Sequence, residues 1–142
     1  MIIDDISWHL SAEDDKEPSG SFGQASAIPG MFLTWCVNLG LISDEFALRE
    51  ETRIIRLKYR DITGGEFFVS ACGGTLEGDM LSVNGLSFAK KHYKAFEMAA
   101  RKIIEIPIED GWTNYDQMAP WLTKKYLGQK VGRKRGWWRW WK

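Results

Sequence analysis

The stretch Ile28–Ser43, IPGMFLTWCVNLGLIS, restricts the fold of this chain more than any other. Pro29 suits the first position of a helix, where no backbone N–H is needed and φ is already near the helical value. Met31, Phe32, Trp35, Cys36 and Leu39 then fall on one broad apolar stripe at helical period. Gly40 stands where a left-handed residue closes a helix, and Leu41 follows as the apolar residue that folds back on the last turn. Thr34, Val37 and Asn38 take the other, partly wetted side. A helix so rich in Trp, Phe and Met must be covered by its neighbours, so it is expected at the centre of a core.

The 142 residues suffice for one domain with such a core. The longest apolar run is far short of the roughly 20 residues a membrane span needs. The start, MIIDDISWHL, is acidic and lacks the apolar region and cleavage site of a signal peptide. A cytoplasmic protein is therefore expected. Cys36 and Cys72 both lie in apolar surroundings and read as buried free thiols.

Before the central helix, Ile2–Leu10 reads as a short strand or extended arm whose Trp8 docks on the core, and Ser11–Ala27 as an irregular acidic loop. After it, Ser43 caps a helix reaching about Tyr59, with Phe46, Ile54, Leu57 and Tyr59 facing inward. Thr63–Glu66 matches a capping box opening a short helix with Phe67, Phe68 and Cys72, closed by Gly73 and Gly74. Asp79 or Ser82 starts the longest helix, where Gly85 marks a weak point or a close approach, and which ends before Pro107. Thr113 caps a last helix, in which Pro120 makes a kink or a restart. The expected class is mainly α: a single compact helical domain of about five helices over residues 1–127, with a possible short N-terminal β element. Residues 128–142 read as a flexible, basic, Trp-rich tail.

Charge is unevenly divided although the net total is zero. Asp4, Asp5, Glu13, Asp14, Asp15 and Glu17 load the first segment, whereas from Lys124 onward there are eight Lys or Arg and no acid. Such polarity governs encounter and association rather than fold. No phosphate-binding glycine loop, nucleophile elbow, zinc-protease motif or paired C-x-x-C is present. The Gly-Gly pairs at 64–65 and 73–74 are explained as caps and turns. The two histidines, His9 and His92, are far apart, and four-ligand zinc chemistry has no donor set. No metal and no cofactor are expected. An enzyme would have to gather His9 with Asp4, Asp5 and Cys36, yet Cys36 lies on a core face, where a thiol is not activated. The tail residues Arg133, Lys134, Arg135, Trp137, Trp138, Arg139, Trp140 and Trp141 offer stacking and phosphate or lipid contacts. Alone the tail is too short for a nucleic-acid module and lacks a second membrane anchor, so neither partner is expected.

The order D-D-x-S-W-H (Asp4, Asp5, Ser7, Trp8, His9), G-M-F-L-x-W (Gly30–Leu33, Trp35) and N-x-G-L (Asn38, Gly40, Leu41) resembles an uncharacterised family of small bacterial proteins. Segments G-E-F-F (Gly65–Phe68), C-G-G-x-L (Cys72–Leu76), Asn84–Tyr93 and D-x-W-x-N-Y-D-x-x-A-P (Asp110–Pro120) agree, so the likeness runs to about Tyr126. The family is a domain of unknown function. Its members look like immunity or antitoxin partners from polymorphic toxin and type VI secretion neighbourhoods. The resemblance implies a non-enzymatic protein that binds a cognate toxin, with no small-molecule substrate. Asp4, Asp5, Glu13, Asp14, Asp15 and Glu17, with Trp8 and His9, are the contact residues expected for a basic toxin.

Overall fold

A computed structural model of the chain describes residues 1–10 and 18–132, with side chains described at 1–10 and 23–128. Helix α1 (Pro18–Asn38) and helix α4 (Gly64–Cys72) cross so closely that a Cβ on Gly30 would stand 2.5 Å from the Gly65 nitrogen. Glycine is required there because backbone meets backbone. Between them run α2 (Asp44–Arg49) and α3 (Glu51–Lys58); α5 (Val83–Ile103) and α6 (Trp112–Gly132) complete the helices. Strand β1 (Ile2–Asp5) pairs antiparallel with β2 (Thr75–Glu77), matching Asp4 to Leu76 across a bulge. The mainly α domain with a small N-terminal β element is the observed architecture, with six α-helices among the described residues.

The centre is aromatic. The Phe32 ring of α1 lies 4.9 Å from Tyr93 edge-on and 6.3 Å from Phe88, both on α5. Trp35 packs on Phe88 and on Tyr126 of α6, and its Nε1 donates to Thr123 Oγ1 at 3.1 Å. Rings in these offset and edge-on poses contribute beyond the area they bury. The burial of Met31, Phe32, Trp35 and Cys36 matches the apolar stripe, but Thr34 and Val37 are buried too and Leu39 is exposed. From Ala25 to Val37 helix α1 is thus covered nearly all round, and Thr34 satisfies its hydroxyl on Gly30 O at 2.7 Å.

Several boundaries differ from the sequence reading. Residues 18–27, expected in a loop, belong to α1, and Pro29 sits inside the helix instead of opening it. An internal proline forfeits one hydrogen bond and strains the turn, a cost of about 3 kcal/mol. Burial of Ile28, Met31 and Phe32 on either side of it offsets that cost. The helix expected to reach Tyr59 is two helices parted at Glu50, whose carboxylate receives Arg49 and Arg53. Tyr59, two residues beyond the buried Leu57, points to the opposite side and is 84 % exposed. Thr113 lies within α6 rather than at its cap, and α6 runs unbroken through Pro120 to Gly132. The other signals hold. Ser43 and Ser82 accept from Phe46 N and Gly85 N, the Thr63–Glu66 box is closed in both directions, and Gly40 and Gly73 are left-handed. Gly85 is the close approach, since a Cβ there would meet the Leu41 carbonyl.

Candidate functional site

The Asp5 carboxylate caps the one-turn 3₁₀ helix Ile6–His9 by accepting from Ser7 N at 2.9 Å and Ser7 Oγ at 2.6 Å. It also accepts from Thr75 Oγ1 of β2 at 2.6 Å, and these bonds, Ser7 foremost, hold its pKa below the usual carboxylate value. Three residues per turn place Ile6 and His9 on one side of the 3₁₀ helix. Ile6 packs on the core and against Gly74, and His9 turns inward with it. Trp8 is then directed outward. It is 61 % exposed, so the expectation that it docks on the core is corrected.

His9 Nε2 bonds both oxygens of Asp4, at 2.7 and 2.9 Å. Asp4 is only 2 % exposed and also accepts from the Tyr93 hydroxyl and from Asp5 N. Three donors thus reach this buried carboxylate and each of its oxygens has at least one, as burial of a charge demands. Burial, followed by the adjacent Asp4 charge, drives the Tyr93 phenol well above its ordinary pKa, so it stays a donor. The other ring nitrogen, Nδ1, faces Arg101 Nη2 at 3.5 Å and Glu97 Oε2 at 3.8 Å, and Arg101 is paired with Glu97 at 3.3 Å. Beside this network opens a cavity of about 160 Å³ lined by His9, Arg101, Gln24, Ala25 and Ile28 with the 106–108 loop. The loop is tied down by Asp110, whose carboxylate accepts from Gly65 N at 2.9 Å and Thr63 Oγ1 at 2.5 Å at the start of α4. Burial raises the Asp110 pKa against those bonds.

The arrangement clamps the N-terminal arm to α5. An ordered Asp–His pair suits a general base, but catalysis also needs a nucleophile or a proton to move. The small-enzyme constellation is only half assembled: Asp4 and His9 meet, Asp5 serves as a cap, and Cys36 is fully buried within α1. Burial pushes the Cys36 thiol far up and the Cys72 thiol up to about 12, the reverse of an activated thiolate. Asp4, His9 and Glu97 present donor atoms within 4.8 Å of one another, the only such metal-compatible group among the described residues. The Arg101 guanidinium already supplies the cation there, and Asp4 is committed to His9, Tyr93 and Asp5 N. Of the expected contact residues, Asp4 and His9 are thus internal, while Asp5 and Trp8 face outward. Glu13, Asp14, Asp15 and Glu17, and the tail residues Arg133 to Trp141, lie outside the described residues. Sequence reasoning missed Tyr93 as the partner of Asp4, and Glu97 and Arg101 as the partners of His9. The i, i+4, i+8 spacing of the three on one helix was the available signal.

Residues 2–106 match a family model whose description is Domain of unknown function (DUF7832). The match includes every residue of the clamp and stops short of the Asp110–Pro120 segment. No curated protein and no solved structure matches the chain. No helix among the described residues is long and apolar enough to cross a membrane.

Proposed function

The chain belongs to the family described as Domain of unknown function (DUF7832), and from that footing we propose that it is a non-enzymatic immunity protein. In this reading it binds and neutralises a cognate bacterial toxin, of the kind found in polymorphic toxin and type VI secretion loci, in the cytoplasm of the producing cell. One observation carries the reading: Trp8 is 61 % exposed while its flanking residues are fixed by the Asp5 cap and the Asp4–His9–Tyr93 clamp. A large side chain held out on a rigid turn loses little freedom on binding, which is what an interface anchor requires. The acids Glu13, Asp14, Asp15 and Glu17 follow within nine residues of Trp8 in sequence and suit a basic toxin surface.

The test is co-expression with the product of the neighbouring gene as the candidate toxin. Wild-type protein is expected to restore growth, and Trp8→Ala to weaken toxin binding by about 30-fold, the loss of one hot-spot anchor, with thermal stability unchanged. Equal killing with and without the wild-type protein removes the proposal.

A further inference from the structure

Helices α5 and α6 enclose a groove of about 620 Å³ lined by Lys91, His92, Trp121, Lys124, Lys125 and Gly128. Its electrostatics follow from where the acids went. Each helix carries a single acid. Glu97 of α5 is held in the His9–Arg101 cluster, and Asp116 of α6 is clasped by both terminal nitrogens of Arg60 at 2.6 and 2.9 Å. No ion pair among the described residues engages Lys91, Lys124 or Lys125, and all three are exposed. Three cations therefore converge on a concave surface with no carboxylate among the described residues that line it. Trp121, half-buried and backed by Phe96 at 6.0 Å, has the Lys125 ammonium 5.4 Å from its ring centroid. A flexible lysine head can leave that ring to follow a phosphate.

We propose that this groove is a nucleotide-binding site: Lys91, Lys124 and Lys125 take the phosphate, and a base stacks on Trp121. Cations beside an aromatic platform are the recurring means of holding a nucleotide unit without reading its sequence, and the volume suits one such unit. The tail, judged by itself, lacks a second anchor; the folded groove provides one immediately before it in the chain. Residues 126–142 add six more Lys or Arg, four Trp and no acid, so the same chemistry continues in sequence. This proposal is independent of toxin neutralisation, which uses the opposite, acidic end of the sequence.

The experiment measures anisotropy of a labelled 12-nucleotide oligothymidine with the full chain at two salt concentrations. Saturable binding that weakens with salt is expected, and Lys91→Glu with Lys124→Glu should weaken it at least about tenfold, since two phosphate contacts become repulsive. Trp121→Leu should weaken it about fivefold or more through lost stacking. Circular dichroism and melting temperature confirm that the variants are folded, and the exposed double lysine variant serves if the tryptophan variant is not. Competition by thymidine monophosphate assigns the site to a free nucleotide; competition by oligonucleotide alone assigns it to a strand. Binding unchanged in the double lysine variant, no binding to oligonucleotide and monophosphate alike, or binding only to vesicles containing phosphatidylserine overturns the proposal.

Discussion

Alanine at Gly30 and alanine at Gly23 are the same change in the same helix, and they are expected to move stability in opposite directions. Both replace a helical glycine, which by itself favours the folded state by about 0.5–1 kcal/mol. At Gly23 the new methyl meets nothing within 4 Å, so that gain is kept. At Gly30 it would sit 2.5 Å from Gly65 N, 2.6 Å from Gly64 C and 2.8 Å from Gly64 O. An ordinary contact there needs roughly 1 Å more room, and backbone cannot swing aside as a side chain can. Helices α1 and α4 must separate, loosening the buried Phe32, Phe67 and Phe68 around them. Overpacking of this kind costs about 3 kcal/mol at the upper end of its range, leaving a net loss of about 2 kcal/mol. For a chain of this size that is a fall of about 6 °C in Tm, against a rise of about 2 °C for Gly23→Ala. Calorimetry or urea titration of the pair decides it. A Gly30→Ala protein as stable as wild type refutes the backbone-to-backbone crossing.

Tyr93→Phe removes a donor from the buried Asp4 carboxylate and is expected to cost about 1–3 kcal/mol in urea unfolding. Loss within error of zero refutes the clamp. Native protein is expected to resist thiol alkylation at pH 8, because burial raises both Cys36 and Cys72; modification should track unfolding, with Cys72 the faster, and rapid native labelling of Cys36 contradicts its placement. Asp110 holds its proton more tightly folded than unfolded, so its ionisation should lower stability as pH rises from the unfolded carboxylate value through the raised folded one. Asp110→Asn should flatten the stability curve in that window, and an unaltered slope refutes the burial of this carboxyl. Asp116 behaves oppositely: Arg60 lowers its pKa, so its contribution is present above the unfolded carboxylate value and lost as pH falls through the depressed one. Asp116→Asn should remove that acid-side loss; an unchanged acid limb refutes the pair.

Legibility in the sequence followed the range of each interaction. The caps at Ser43, Ser82 and Thr63 with Glu66, and the left-handed closures at Gly40 and Gly73, join residues three to five apart, and all were readable. The extension of α1 through Pro29 was not, because local propensity opposes it and only distant packing supplies the compensation. The three-residue strand β2 carries too short a pattern to announce itself, and its existence depends on β1 more than sixty residues away. Trp8 shows the same limit at one residue: its type suggested burial, and the 3₁₀ turn set by Asp5 sent it outward.

The candidate sites divide in the same way. That His9 and two acids lie near the start, and that cations crowd the end, is a property of the string. That Asp4 would be spent on His9 and Tyr93, with Glu97 and Arg101 completing the cluster, was a decision of the β1–β2 pairing and of α5 beneath it. So was the removal of Glu97 and Asp116 from the face that holds Lys91, Lys124 and Trp121. The amino-acid order alone determined a helical domain wrapped on an aromatic core, because period and capping act within a few residues. Which charges cancel and which remain available to a partner was settled only by tertiary structure, because Coulomb pairing depends on distance in space, and chain separation does not encode it.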